Sequence, residues 1–232
     1  STSDIHGKIR GAIKDYSQGV QLASAAKNNN PSQVTSLLDA GTNVDKQDEC
    51  SNTALMYAAQ KRHIECVRAL IDAGANVDKQ GIVGLTALMY AAQKGHIECV
   101  RAFIDAGANV NKQGEYGDTA LIYAAENEHI ECVRALLKAG ANNVDIVFNI
   151  AVGELKTFLD LIDTATQGDL DRMNLLLSAG ANPNSRKDND GDTALMWAAR
   201  KGYSECVQAL IDAGATVDTQ NQFGNTALLY AA

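Results

Sequence analysis

A histidine and a cysteine stand three residues apart at three places in the chain, as "HIEC" at residues 63–66, 96–99 and 129–132. On a helix, side chains three positions apart lie on the same face. Imidazole and thiolate are common zinc ligands, and a histidine beside a cysteine can also activate the thiol as a nucleophile. The spacing therefore raises two chemical hypotheses, half of a metal site or a thiol–imidazole pair.

The recurrence of "HIEC" argues against both. The copies are 33 residues apart, and "YSEC" stands in the matching place at residues 203–206. Equivalent positions on neighbouring packed helices lie about 8–10 Å apart, whereas two ligands of one tetrahedral zinc are separated by no more than ~4.6 Å. That distance also exceeds the ~7 Å Cα separation that a disulfide allows. Three unspecialised copies lack the orienting group and oxyanion hole that an enzyme needs. We expect His96 to pack and hydrogen-bond at the start of a helix and Cys99 to be a buried thiol, with no catalytic residue, metal or cofactor.

The whole chain repeats with the same period. Thr53, Thr86 and Thr119 each open Thr-Ala-Leu-(Met/Ile)-Tyr-Ala-Ala, and related stretches begin at Thr193 and Thr226. Glycines close most units, at Gly41, Gly74, Gly107, Gly140, Gly180 and Gly214. Threonine is a favourable N-cap and glycine a favourable C-cap, so each unit is predicted to hold two short antiparallel helices joined to the next unit by a turn. Such a unit buries its apolar face only by stacking on its neighbours.

This pattern resembles the ankyrin repeat, whose 33-residue unit opens with Thr-Pro-Leu-His-x-Ala, and the resemblance covers about residues 21–232. It implies an all-α solenoid of stacked helix-turn-helix units with projecting β-turn or hairpin loops. The chain departs from the family in having Ala for Pro and mostly Met for His, as in "TALM". We therefore do not expect the Thr–His hydrogen bonding usual in the family, and we expect the methionine to fill that space as packing.

The domain organisation follows from the period. Residues 1–20 are predicted to be an N-terminal extension forming a helical cap, and residues 21–232 an ankyrin-repeat domain. The repeats are predicted at about residues 21–47, 48–80, 81–113, 114–146, 147–187, 188–220 and 221–232. The fifth is irregular with an insertion, for which we expect a longer first helix from Val152 to Thr166, either as a drifted repeat or as a partner-specific protrusion. The seventh is truncated inside its first helix, and the natural chain is expected to continue.

Composition excludes several classes of function. The net charge of −8 and the pI near 4.9 argue against nucleic-acid binding, which requires a basic surface. No apolar run approaches the roughly 20 residues that span a bilayer, so membrane insertion is not expected. One semi-buried cysteine per repeat suits a reducing compartment, and we expect a cytoplasmic protein, in the host cytosol if it is a secreted effector.

The resemblance implies that a partner protein or peptide binds on the concave face and the turn tips of a monomer without intrinsic catalysis. The alternative is a regulatory or substrate-recruiting domain of a larger enzyme, or of a bacterial effector acting in host cytosol. The candidate residues at the turn tips are Ile82, Val83, Leu85, Glu115, Tyr116, Asp118, Asn189, Asp190 and Phe223. Those late in the first helices are Gln60, Lys61, Gln93, Lys94, Glu126, Asn127, Arg200 and Lys201.

Three apolar residues stand out at one turn tip, Ile82, Val83 and Leu85, where the other copies are more polar. As an exposed patch flanked by Tyr116 they would form an interaction anchor. The alternative is that they pack on the neighbouring turns. The sequence leaves both interpretations open.

Overall fold

The computed structural model of the chain describes residues 2–142, 147, 160–187 and 190–231, and it divides into two compact units, Ser1–Ala139 and Gly140–Ala232. The first unit contains helices α1 (Thr2–Lys27), α2 (Pro31–Asp39), α3 (Ala54–Gln60), α4 (Ile64–Asp72), α5 (Ala87–Gln93), α6 (Ile97–Asp105), α7 (Ala120–Glu126) and α8 (Ile130–Lys138), with a 3-10 turn at Ile82–Gly84. The second contains α9 (Leu161–Gln167), α10 (Leu170–Ser178), α11 (Ala194–Lys201), α12 (Ser204–Asp212) and α13 (Ala227–Ala231), with a short antiparallel pair of strands, β1 (Arg186–Lys187) and β2 (Asp192–Thr193).

The helices of the first unit form two layers. In one layer α1 packs on α3, α3 on α5 and α5 on α7, and in the other α2 packs on α4, α4 on α6 and α6 on α8. The second unit repeats the arrangement, with α9, α11 and α13 packed in series and α10 packed on α12. The apolar side chains between the layers are buried, as Leu88, Val100 and Phe103 show. The predicted helical repeat stack is confirmed within each unit.

Each regular first helix begins at a threonine N-cap. Thr86 has extended backbone angles, and its Oγ1 accepts the backbone N–H of Met89 at 3.3 Å. In return Met89 Sδ accepts the backbone N–H of Thr86 at 3.4 Å. The same reciprocal bonds join Thr53 to Met56 and Thr193 to Met196. The methionine fills this space as packing, as predicted, since Met89 is buried, and its sulfur in addition completes a capping box.

The irregular fifth repeat begins its described first helix later than predicted. Asp160 has extended angles (φ −78°, ψ 111°), and its Oδ1 accepts the N–H groups of Ile162 and Asp163 at 2.9 and 3.2 Å. A helix starting at this cap cannot be continuous from Val152, so the predicted helix from Val152 to Thr166 is wrong. Residues 148–159 lie outside the described part of the chain. Asp160 takes the structural place of the capping threonine.

The first helix is longer than one repeat requires. Because α1 runs from Thr2 to Lys27, the boundary predicted at residue 20 falls inside a continuous helix. Tyr16, near its middle, donates its hydroxyl to Glu49 Oε1 at 2.8 Å, in the turn of the second repeat. The N-terminal extension and the first repeat therefore share one helix.

Candidate protein-binding surface

The histidines of the three "HIEC" stretches hold consecutive repeats together. His96 Nε2 lies 3.2 Å from the carbonyl oxygen of Gln60, and His129 Nε2 lies 3.2 Å from that of Gln93. His63 makes the same link through Nδ1, which lies 2.8 Å from the Ala26 oxygen. Since a carbonyl only accepts hydrogen bonds, each ring nitrogen is the donor. His96 hydrogen-bonds at the start of the second helix, as predicted, and the structure adds that its partner lies in the preceding repeat.

The cysteines of the same stretches are buried. Burial raises the pKa of Cys99 to about 11 and that of Cys132 to about 11. Both groups are therefore neutral thiols near neutral pH and poor nucleophiles. Across the described residues, no group of three or more His, Cys, Asp or Glu side chains is arranged to hold a metal ion.

A ladder of glutamines fixes the turns of the first unit relative to one another. Gln47 Nε2 donates to the oxygen of Ser51 in its own turn at 2.6 Å and to that of Gln80 in the next at 2.9 Å. Gln80 Nε2 donates likewise to Gly84 at 2.7 Å and to Gln113 at 2.9 Å. Adjacent turns thus share side-chain and backbone polar groups, and their tips project from a rigid base.

The apolar turn tip is strained and exposed. Val83 has φ 53° and ψ 24°, a left-handed conformation that is unfavourable for a β-branched residue. Its carbonyl oxygen accepts the N–H of Glu115 in the next turn at 3.0 Å, which stabilises this geometry. Ile82 is 56% exposed, Val83 37% and Tyr116 77%. These three side chains form a surface that we call the apolar tip.

Leu85 does not share this exposure. It is half-buried, and its Cδ2 lies 3.7 Å from the position that a Cβ on Gly114 would occupy. The two interpretations of the apolar turn therefore apply to different residues. Leu85 packs towards the neighbouring turn, and Ile82 and Val83 face solvent.

Among the described residues, cations lie over aromatic rings at two places, in each case over a ring of the following repeat and in the second also over one of their own repeat. Lys27 Nζ lies 5.4 Å from the centre of the Tyr57 ring, in the first unit. Arg200 Cζ lies 5.4 Å from the centre of Trp197 and 5.3 Å from that of Tyr230, in the second. Sequence reasoning missed Lys27, although the 33-residue period places it in register with Gln60 and could have identified it.

Comparison with known proteins decides the family. A family model for ankyrin repeats matches the chain in three copies, over residues 22–113, 77–147 and 161–232. The chain belongs to the ankyrin-repeat family.

Curated relatives share short segments with these ankyrin repeats. The potassium channel GORK of Arabidopsis thaliana is 41% identical over 68 residues, which are 29% of this chain and 8% of the channel. The ankyrin repeat and KH domain-containing protein mask-1 of Caenorhabditis elegans is 42% identical over 72 residues, 31% of this chain and 3% of that protein. The putative ankyrin repeat protein YahD of Escherichia coli (strain K12) is 40% identical over 62 residues, 27% of this chain and 30% of that protein. The match covers less than a third of the length of each relative.

Solved ankyrin structures match over most of the chain. The ankyrin repeat domain of Bcl-3 is 28% identical, with a TM-score of 0.54 over 91% of this chain and 93% of that one. The ankyrin repeat domain of human ASB11 is 28% identical, with a TM-score of 0.52 over 91% of each chain. The fold is therefore that of an ankyrin-repeat domain.

The remaining candidate residues occupy the turns and first helices of the ankyrin repeats as their register requires. Exposed side chains are those of Lys61, Lys94, Glu115, Glu126, Asn127, Asp190, Arg200, Lys201 and Phe223, and half-buried ones are Gln60, Gln93 and Asp118. Asn189 lies outside the described residues. Asp118 Oδ2 accepts the hydroxyl of Tyr123 at 3.4 Å, which ties it to the adjacent helix. Whether these residues contact a partner remains a prediction.

The described helices include none that is both long enough and apolar enough to cross a lipid bilayer.

Proposed function

We propose that this ankyrin-repeat chain is a protein-binding scaffold that captures a partner protein or peptide on its turn tips and first helices. Ankyrin repeats are in general protein–protein interaction modules. The finer assignment rests on the apolar tip. Ile82, Val83 and Tyr116 present apolar side chains to solvent from turns that hydrogen bonds hold in place, so little conformational entropy is lost when a partner covers them.

The proposal assigns no catalytic step to the chain. The repeated histidines donate to backbone carbonyls, and burial raises the pKa of Cys99 and Cys132 away from the range of a reactive thiolate. All five cysteines are free, which suits a reducing compartment, and we place the chain in the cytosol as a monomer.

A second candidate function is that of a recruiting or regulatory part of a longer protein, such as an enzyme or an effector delivered into host cytosol. The observation that favours it is the small share of the relatives that the match to this chain covers, 8% of the potassium channel and 3% of the KH-domain protein. In this candidate the same surface binds the partner and another domain acts on it.

The test compares partner capture by matched variants. Proteins retained from a lysate by the immobilised chain are identified by mass spectrometry and then purified for calorimetric titration. Ile82→Asp with Tyr116→Asp removes the apolar tip at two exposed positions and is expected to weaken binding at least tenfold without changing the unfolding midpoint. The control is Val217→Asp, an exposed apolar residue of the second unit. Equal affinity of the wild type and the double variant would move the binding surface elsewhere.

A further inference from the structure

We propose that Arg200 is the anchor for a carboxylate of the partner, so that the second unit binds an acidic segment of a protein, rich in Asp or Glu. This inference rests on the proposed scaffold function and specifies the chemistry of one part of its surface. It begins from the position of Arg200 in the last turn of α11, where Lys201 follows it.

Two aromatic rings hold the Arg200 guanidinium in place. Its Cζ lies 5.4 Å from the ring centre of Trp197, one turn earlier in α11, and 5.3 Å from that of Tyr230, in α13. Contact with ring faces engages the flat faces of a guanidinium and leaves its N–H edges available. Among the described residues, no carboxylate lies within ion-pair distance of Arg200. The side chain is thus an exposed cation that lies against two rings of the chain itself.

The equivalent positions in the second, third and fourth repeats differ in charge from Arg200. Counted from the capping threonine of each first helix, Arg200 aligns with Gln60, Gln93 and Glu126, none of which is a cation, and through the 33-residue period of the first unit also with Lys27. Lys201 aligns with Lys61, Lys94 and Asn127, so two adjacent cations occur at this place in the second unit. The repeat fold accepts a neutral side chain here, and the stack therefore does not require Arg200.

Lys27 provides an internal contrast, because it lies over Tyr57 in the same way. Near Lys27, however, Asp48 accepts the Tyr57 hydroxyl at 2.6 Å, and Lys27, Asp48 and Tyr57 line one cavity of about 210 Å³. A carboxylate of the chain itself therefore already lines the cavity beside that cation.

In the second unit, amides replace this carboxylate. Asn221, in register with Asp48, donates through Nδ2 to the Tyr230 hydroxyl at 3.0 Å, and Asn225 Nδ2 donates to the same oxygen at 3.3 Å. Asp192 is buried, and its Oδ1 accepts from Asn221 Nδ2 at 2.7 Å. The groups beside Tyr230 are thus neutral amides or a buried, hydrogen-bonded acid, which leaves a place for an external carboxylate.

The chemistry of an ordered guanidinium defines the ligand. Its paired N–H groups match the two oxygens of a carboxylate, and a charge-assisted pair of this kind is stronger than a neutral hydrogen bond. Lys201, exposed beside it, adds attraction for a second negative charge. An acidic peptide segment satisfies both cations, whereas a basic or neutral segment satisfies neither.

Trp197, the one tryptophan of the sequence, reports on this site directly. We titrate the whole chain with an end-capped (Glu-Ala)₄ peptide and with the isosteric (Gln-Ala)₄ peptide, and record tryptophan emission. The expected result is a saturable change with the Glu peptide that weakens as salt is added, and at least a tenfold weaker response to the Gln peptide. Equal responses to the two peptides would overturn the inference, as would tighter binding of inorganic phosphate than of the Glu peptide.

Variants locate the effect at Arg200. Arg200→Gln introduces the residue that Gln60 and Gln93 already supply in this fold, and it is expected to reduce affinity for the Glu peptide about tenfold. Arg200→Lys retains the charge but loses the paired N–H geometry. Its affinity for the Glu peptide is expected to lie between those of the wild type and Arg200→Gln. The control is Arg68→Gln on α4, an equal change of charge at an exposed side chain. Wild-type affinity in Arg200→Gln, or an equal loss in Arg68→Gln, would refute the assignment.

The outcome is independent of the test of the scaffold function. If the apolar-tip variant loses its natural partner while Arg200→Gln binds the Glu peptide normally, the inference about Arg200 alone fails. If the Glu peptide binds through Arg200 but the apolar-tip variant retains its partner, the apolar tip is misassigned and the acidic site stands.

Discussion

Met89 Sδ accepts the backbone N–H of Thr86 at 3.4 Å, while Thr86 Oγ1 accepts the N–H of Met89 at 3.3 Å. In a capping box the returning acceptor is usually a Glu or Gln oxygen. Here the returning acceptor is a thioether inside the core, where a carboxylate would be costly to bury. The methionine therefore supplies both apolar volume and a weak acceptor.

Replacing Met89 by Leu should destabilise the chain. Leucine keeps the volume but has no acceptor, so the buried N–H of Thr86 is left unsatisfied, and we expect the free energy of unfolding to fall by about 1 kcal/mol. Urea unfolding followed by circular dichroism measures the change.

The control for this prediction is Met173→Leu. Met173 is fully buried, and its side chain takes no part in the N-cap of α10, where the Asp169 carboxylate accepts the N–H of Arg172. Equal losses in the two variants would mean that the sulfur of Met89 acts through packing alone. In α7, Ile122 stands at the position of the methionine, and Ile122→Met should raise the free energy of unfolding.

Gly95→Ala should destabilise the link between the third and fourth repeats. Gly95 has φ +69°, and a Cβ there would stand 2.6 Å from Nδ1 of His129, the ring that donates to Gln93. We expect a loss of about 2 kcal/mol in the free energy of unfolding, from backbone strain and from displacement of the ring.

Gly107→Ala separates these two causes. Gly107 has φ +78°, but a Cβ at this residue meets no atom within 4 Å. It should therefore show the backbone cost alone, about 1 kcal/mol. The ring contact is excluded as the cause if Gly95→Ala lowers the free energy of unfolding no more than Gly107→Ala does. It is also excluded if Gly95→Ala has the same effect in the wild type and in the His129→Ala background.

His96 should make stability depend on pH. Burial of the ring is the largest cause that lowers the pKa of His96 in the folded chain below its ordinary value of 6.5. The folded state therefore binds a proton less readily than the unfolded state. The contribution of His96 to stability is therefore complete above pH ~6.5, and it is lost as the pH falls from there through the pKa of His96 in the folded chain.

The measurement is the unfolding midpoint between pH 7.5 and 5.5 for the wild type and His96→Gln, whose amide retains a donor for Gln60. The wild type should lose more stability over this range than the variant. Parallel curves for wild type and His96→Gln would show that His96 does not titrate differently on folding.

The repeat pattern accounted for most of the architecture. Thr86, Gly95 and Gly107 are local signals, because a cap or a left-handed residue acts through bonds to its own helix. The 33-residue period also settled the meaning of "HIEC", since three identical positions on stacked helices are too far apart to share a metal. The break at Asp160 was not predicted, because an aspartate cap replaces the threonine that marked the other helices.

The sequence by itself thus determined that the chain forms stacked two-helix units, and it predicted structural roles for the histidines and cysteines of the "HIEC" stretches. Only the tertiary structure decided that His96 donates to Gln60, that Ile82 is exposed while Leu85 is half-buried, and that Arg200 lies between two rings. The reason is physical. Helix starts and stops depend on neighbours in sequence, whereas these contacts join residues about one repeat apart or depend on which turn covers which side chain, and those relations exist only once the repeats have packed.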